Sequence, residues 1–117
     1  MSQHQFGRTI DSASNTFTPA FEFGAVAFSI DSLVQVYGLP APNIVKIDVD
    51  GIEFDVINGM VKTIEAGSIH TIITEVCDAQ TGHNLIEFFF ALGFRCSVPV
   101  SDFPLQGSFD LCFQKTK

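Results

Sequence analysis

Basic residues and long apolar runs are scarce in this sequence. Six Lys and Arg residues stand against thirteen Asp and Glu residues, and the net charge is −7. This charge repels phosphate backbones and anionic lipid, so we expect neither nucleic acid nor a membrane surface as a partner. Charged residues or proline interrupt every apolar run well before the roughly 18 residues that a membrane helix needs, so we expect no membrane span.

Cysteine is also sparse, and the three residues Cys77, Cys96 and Cys112 are far apart with no CxxC spacing. An odd number of widely spaced cysteines is not typical of a disulfide framework or a zinc site, so we expect free thiols. No cluster of His, Asp and Cys has the spacing of metal ligands. The sequence therefore predicts no metal site.

The first residues are polar and lack the apolar stretch of a secretory signal, so we expect a cytoplasmic protein. Residues 1–24 have a weak pattern of Ser, Thr, Asn and Gly among phenylalanines, which indicates an irregular N-terminal segment. Residues 25–117 carry regular patterns. Because 46% of the chain is hydrophobic, this second part can form a packed domain.

The domain begins with a predicted strand and helix. We predict a short strand at residues 25–29 and a helix that Asp31 caps and that runs toward Tyr37. A run of β-branched residues then predicts a strand at Ile44–Val49, which ends at the turn signal Asp50-Gly51.

Helical and extended patterns alternate after that turn. Apolar residues at helical spacing predict one helix from Ile52 to Ile64, closed by Gly67, and Ile69–Val76 reads as a second apolar strand.

The last third of the chain predicts one helix and two strands. The helix carries apolar residues from Leu85 to Leu92, with Asn84 and Glu87 as its capping box. The strands are Phe94–Val98 and Phe109–Gln114. This order of elements predicts an α/β domain with parallel strands first and a C-terminal antiparallel pair.

Two acidic residues stand at the ends of the two strongest strands. Asp50 follows the first and Glu75 nearly ends the second, so both should meet at the edge where parallel sheets bind ligands. An acid in an apolar strand costs free energy unless it is paired or solvated by a cleft, which favours a site at Glu75. Asp50 equally suits an ordinary turn before Gly51, and Glu53 suits the first turn of a helix whatever its function.

Three charges, Lys46, Asp48 and Asp50, alternate along the first of these strands. They fall on one face of it. A buried lysine needs a counter-charge, so we predict a structural ion pair between Lys46 and Asp48 as the alternative to a functional role. His83 lies in a predicted loop near Asp78, from which it can reach the same edge, although a single loop histidine is more often a surface residue.

Three segments, "FSIDSL", "PNIVKIDVDGIEFDVINGM" and "IITEV", resemble the FkbM family of S-adenosylmethionine-dependent methyltransferases. The resemblance covers about residues 25–76. It implies a truncated Rossmann-like methyltransferase fold, of which this chain supplies the second half. It also implies O-methylation of a sugar or another small hydroxylated acceptor, with S-adenosylmethionine as the cofactor.

The same resemblance assigns roles to residues at the strand ends. Asp50, Glu53 and Glu75 would be catalytic, because an acid at this edge can orient or deprotonate a hydroxyl group. Asp48 and Gly51 would contact the cofactor.

The chain departs from the family pattern in its N-terminal part. A complete member has a glycine-rich loop after its first strand, whereas none of the nine glycines here forms a Gly-x-Gly pair. The usual donor-binding half is absent from the sequence, so its status as an enzyme stays open. A partner or a dimer would complete the donor site, or the chain is a non-catalytic binding module, or it is a fragment of a longer enzyme.

A sheet cut at this point would also leave one flank of the Ile44–Val49 strand exposed, and an exposed edge must be covered. The N-terminal segment or a second copy can cover it. We expect a homodimer.

Overall fold

A computed structural model of the chain describes residues 22–97 and 107–116. Four helices and four strands occur there. The helices are α1 (Ile30–Gln35), α2 (Glu53–Asn58), α3 (Val61–Ala66) and α4 (Ala79–Ala91), and the strands are β1 (Ile44–Ile47), β2 (Thr71–Val76), β3 (Phe94–Cys96) and β4 (Phe109–Lys115). No helix among the described residues is long and apolar enough to cross a membrane.

The four strands form one sheet in the order β1-β2-β4-β3. β1 and β2 are parallel, with α2 and α3 in the connection between them, and β4 runs antiparallel to both of its neighbours. The predicted α/β fold, with parallel strands first and an antiparallel C-terminal pair, is confirmed. The insertion of β4 between β2 and β3 was not predicted.

One face of the sheet is buried, and it packs with the helices in a single core. The buried strand residues alternate with exposed or half-buried ones, as a sheet covered on one side requires. The buried strand residues are Val45, Ile47, Ile72, Thr74, Val76, Phe94, Leu111 and Phe113. The helices contribute Ile57, Met60, Ile64, Leu85 and Phe89 to the same core. The opposite face is only partly covered by the described residues, and Ile44 on it is 59% exposed.

The predicted strand at residues 25–29 is wrong, because this segment is exposed and has no regular structure. It leads instead into the N-terminal cap of α1. The Ser29 hydroxyl accepts a hydrogen bond from the Ser32 amide at 3.1 Å, so the helix begins at Ile30. Asp31 therefore lies in the first turn and is not the cap. The rest of the predicted N-terminal segment lies outside the described residues.

The single helix predicted between Ile52 and Gly67 is two short helices that meet at Gly59. α1 approaches the chain there. The Gly59 carbonyl accepts a hydrogen bond from the Asp31 amide at 2.8 Å, and a Cβ at Gly59 would lie 2.9 Å from the Ser29 Cβ. This contact with another helix explains the break. The end of α3 at Gly67 is confirmed, with a left-handed φ of 98°.

α4 begins five residues earlier than the predicted capping box. Asp78 caps it, since its carboxylate accepts hydrogen bonds from the Thr81 amide at 2.7 Å and the Thr81 hydroxyl at 2.9 Å. Asn84 lies inside the helix, where its side chain accepts from Gln80 at 3.1 Å. The predicted capping box is therefore wrong, and so is the loop position of His83, which is a residue of α4.

β1 and β2 are shorter than predicted, and β4 is one residue longer. β1 ends at Ile47, while Asp48 and Val49 continue beyond it without a ladder partner in the described sheet. The predicted end of β3 at Val98 lies outside the described residues.

Candidate functional site

The carboxyl ends of β1 and β2 meet the N-termini of α2 and α4 at one edge of the sheet. After β1, the chain turns at Gly51, whose left-handed φ of 79° suits a residue without a side chain, and enters α2 at Glu53. After β2, Cys77 and Asp78 lead directly into α4. Parallel strands bind ligands at this edge in folds of this class.

Four carboxylates gather around one thiol at this edge. The site partly desolvates Cys77, and the carboxylates of Asp50, Glu53, Glu75 and Asp78 act on it together, so the pKa of the thiol is raised above its usual value. Cys77 therefore stays protonated at neutral pH and is a poor nucleophile. The structure thus brings the predicted residues Asp50, Glu53 and Glu75 together, while their catalytic roles stay predictions.

A cleft of about 350 Å³ opens beside these residues. Its wall is formed by the Gly51–Asp55 turn on one side and by Cys77, Asp78 and Thr81 on the other. This volume lies at the lower end of the range for small-molecule sites, which is about 300 to 1,000 Å³. The cleft suits a small polar molecule.

Glu53 has a structural task at this site. It is the first residue of α2 and only 6% exposed, and its carboxylate accepts a hydrogen bond from the Gly51 amide at 3.4 Å. A negative charge in the first turn is also favoured by the helix dipole. The amide of Gly51, a predicted cofactor contact, is thus already directed toward Glu53.

The side chains of Asp50 and Glu75 are available to a ligand. Asp50 is exposed and Glu75 half-buried, and neither carboxylate accepts a hydrogen bond from another described residue. Among the four acids around Cys77, these two differ from Glu53 and Asp78, whose carboxylates accept hydrogen bonds from backbone amides.

Lys46 and Asp48 do not form the predicted ion pair. Both side chains are exposed, and within the described residues no ion pair joins them. β1 lies at the end of the sheet and both side chains are on its solvent-exposed face, so neither charge needs a buried counter-charge.

A third acid, Asp110, joins Glu75 on the same face of the sheet. The two are direct cross-strand partners of β2 and β4. The last β1–β2 pair is Ile47 with Thr74, and Asp48 and Glu75 are the residues that directly follow the two members of this pair. Asp48, Glu75 and Asp110 thus form a row of acids. The alternation in "SFDLCF" predicts which residues share a face, but the β2–β4 pairing that completes the row was not predicted.

Other sequence candidates lie outside the cleft. His83 is exposed on α4 and does not line it. Across the described ranges, no group of three His, Cys, Asp or Glu side chains is placed to hold a metal ion.

A larger cleft, of about 760 Å³, lies between α1 and the α2–α3 segment. It is less suited to chemistry, because Glu53, Cys77 and Asp78 are not in its wall, and the carboxylate of Asp31, which is, already accepts hydrogen bonds from the amides of Lys62 and Thr63. We therefore take the strand-end cleft as the candidate site.

Comparison with known protein families matches residues 5–96 to the methyltransferase FkbM domain. No protein of curated function and no solved structure shows a significant match to the chain. The parallel β1–β2 pair and the antiparallel β4 are consistent with a truncated methyltransferase fold.

Proposed function

We infer the function from one premise: the chain belongs to the FkbM methyltransferase family, whose domain matches residues 5–96. We propose that it takes part in S-adenosylmethionine-dependent O-methyl transfer to a small hydroxylated or sugar-like acceptor. The observation that supports this proposal is that the carboxylates of Asp50 and Glu75 both act on Cys77, a wall residue of the strand-end cleft, while neither accepts a hydrogen bond from another described residue.

The acceptor would bind through its hydroxyl group. A carboxylate that accepts a hydrogen bond from this hydroxyl orients the oxygen and takes up its proton as the oxygen gains a methyl group. We assign this task to Asp50 and Glu75, and Glu53 holds the turn that carries Asp50. S-adenosylmethionine, when bound, supplies the electrophilic methyl group.

The described residues do not fit the donor by themselves. A nucleotide-like donor is usually held by a glycine-rich turn with free backbone amides, and the turn at this edge directs the amide of Gly51 to Glu53. The acids at the edge do suit a cationic donor electrostatically. We therefore propose that a partner or a second copy completes the donor site.

Calorimetric titration with S-adenosylmethionine and S-adenosylhomocysteine, together with a methyl-transfer assay on a panel of sugars and polyols, tests the proposal. We expect Asp50→Asn and Glu75→Gln to abolish transfer without changing the unfolding midpoint. Glu65→Gln, a matched change on the exposed side of α3, should leave transfer intact. If the two variants unfold the protein instead, the acids are structural.

The second candidate is a non-catalytic, self-associating module that keeps the methyltransferase fold. The open edge of β1 and the partly uncovered sheet face favour it. An absence of binding heat at millimolar donor, in a sample with a folded circular dichroism spectrum, would support this candidate against a self-sufficient enzyme.

A further inference from the structure

The outer edge of β1 carries no strand in the described part of the protein. β1 stands first in the sheet order and pairs only with β2. An edge strand presents unpaired N–H and C=O groups, which form a template for another strand. The strand is mainly apolar, and Ile44 at its start is 59% exposed.

The backbone shows which residues offer these groups. The Asn43 carbonyl accepts hydrogen bonds from the amides of His70 and Thr71, so Asn43 faces β2. Backbone groups of alternate residues point to the same side of a strand. The amide and carbonyl groups of Ile44 and Lys46 therefore point to the open edge, and those of Asp48 would do so once a partner strand extended β1 beyond Ile47.

We propose that β1 pairs with β1 of a second copy, antiparallel about a twofold axis at Ile47. In this register Lys46 stands opposite the second copy's Asp48, and the pair occurs twice because of the symmetry. Val45 stands opposite the second copy's Val49. Directly opposed residues share a face, so the apolar residues of both copies extend the buried face while the charges meet on the other face.

Other registers are less favourable. A slip of one residue in the pairing would place charged side chains on the buried face. A twofold axis at Lys46 would oppose two lysines, and an axis at Val45 would oppose Lys46 to Ile44 and leave Asp48 without a cation. Of these registers, only the one centred on Ile47 matches both the apolar and the charged residues.

The acidic row supplies a second reason for this partner. Glu75 and Asp110 oppose each other, and like charges directly opposed destabilise a sheet. Asp48, which follows the last paired residue of β1, is the member of the row next to the open edge. Pairing in the proposed register adds the second copy's Lys46 at the end of this row, in a chain whose net charge is −7.

The segment that leads into β1 is itself apolar and exposed. Phe23, Val26 and Val36 are 77%, 82% and 73% exposed, and Tyr37 and Leu39 add further apolar surface. Exposed apolar residues grouped in one segment are typical of an association surface. Val36, Tyr37 and Leu39 lie between α1 and the strand that we propose to be paired.

Size-exclusion chromatography with light scattering, over a range of protein concentrations, tests the pairing without reference to methyl transfer. The dimer has twice the chain mass of 12.8 kDa. Lys46→Glu and Asp48→Lys should each weaken the dimer by at least about tenfold, because both symmetry-related pairs become repulsive. An equimolar mixture of the two variants should form a heterodimer, since the acids at positions 46 and 48 of one variant then oppose the lysines at positions 48 and 46 of the other.

Charge reversals on α3 serve as matched controls. Lys62→Glu and Glu65→Lys change the same charges at exposed positions and should leave the dimer intact. Lys46→Pro removes an amide that points to the open edge, so the fold should persist while the dimer is lost.

A wild-type protein that is monomeric at every concentration would overturn the proposal. In that case the N-terminal residues or a different partner would cover the edge. Charge reversals without effect on the dimer, or a mixture of variants that stays monomeric, would also overturn it. Because the readout is mass, failure here is distinct from failure of the proposed methyl transfer.

Discussion

Replacement of Asp31 by alanine should destabilise the protein strongly, although Asp31 lies in a short and partly exposed helix. Its carboxylate accepts hydrogen bonds from the Thr63 amide at 2.8 Å, the Thr63 hydroxyl at 2.7 Å and the Lys62 amide at 3.2 Å. Met60, the residue at the N-cap position of α3, makes no side-chain capping bond. Asp31 therefore caps a helix that lies about thirty residues later in the chain.

The expected loss follows from these contacts. Loss of a helix cap costs about 1 kcal/mol. Thr63 is 2% exposed, and a buried hydroxyl left without an acceptor adds about 1 to 3 kcal/mol. Asp31→Ala should thus lower the free energy of unfolding by about 3 kcal/mol. Asp31→Asn keeps one acceptor oxygen for Thr63 and should cost about half as much.

Urea unfolding followed by circular dichroism measures this change, at one protein concentration so that any dimer affects all variants alike. Glu65→Ala, on the exposed side of α3, should stay within about 0.5 kcal/mol of the wild type. In a Thr63→Val background, Asp31→Ala should cost clearly less, because the hydroxyl has been removed. An equal cost in both backgrounds, or a cost below about 0.5 kcal/mol, would refute the capping account.

Two further predictions concern Cys77 and Gly59. Iodoacetamide should modify Cys77 more slowly than a free thiol at neutral pH, because partial desolvation and the nearby acids raise the pKa of its thiol. The modification rate, resolved by peptide mass spectrometry, should rise at a higher pH than for a free thiol. The raised pKa favours the protonated thiol in the folded state, so this contribution to stability is present below the usual thiol pKa and is lost as pH rises through the folded-state value. Asp50→Asn, which removes the largest of the four carboxylate contributions, should shift the alkylation profile to lower pH, and an unchanged profile would contradict the electrostatic part of the cause. Gly59→Ala should cost about 1 to 3 kcal/mol in a urea titration, because its Cβ would lie 2.9 Å from the Ser29 Cβ; Gly24→Ala, with no atom within 4 Å, is the control and should be neutral.

Local patterns predicted the elements whose ends are set by their own residues. The β-branched run predicted where β1 begins and the glycine predicted where α3 ends, since neither needs information from elsewhere in the chain. The end of β1 at Ile47 was not predicted, because it coincides with the end of the pairing with β2. The helix starts were harder to predict. Asp31 looks like a local cap in the sequence, but its acceptor oxygens serve α3, which only the tertiary packing reveals.

The candidate site was predictable only in the part that depends on strands whose order the sequence indicates. Asp50 and Glu75 come together because both stand at the ends of neighbouring parallel strands, which the sequence indicates. Asp110 could not be found in this way, because its place beside Glu75 depends on the insertion of β4 between β2 and β3. A long-range pairing of this kind leaves no periodic signal.

The motif "KIDVDG" separates into two groups of charges with different surroundings. Lys46 and Asp48 lie on the open edge, where they have no partner within the described residues, whereas Asp50 lies at the turn that Gly51 and Glu53 form. Variants of Lys46 and Asp48 should therefore change the oligomeric mass measured in solution, and variants of Asp50 should change methyl transfer. If Lys46→Glu removed both the dimer and the transfer, and the heterodimer with Asp48→Lys restored both, the second copy would be the partner that completes the donor site. Restoration of the dimer without transfer would instead show that the edge serves association alone.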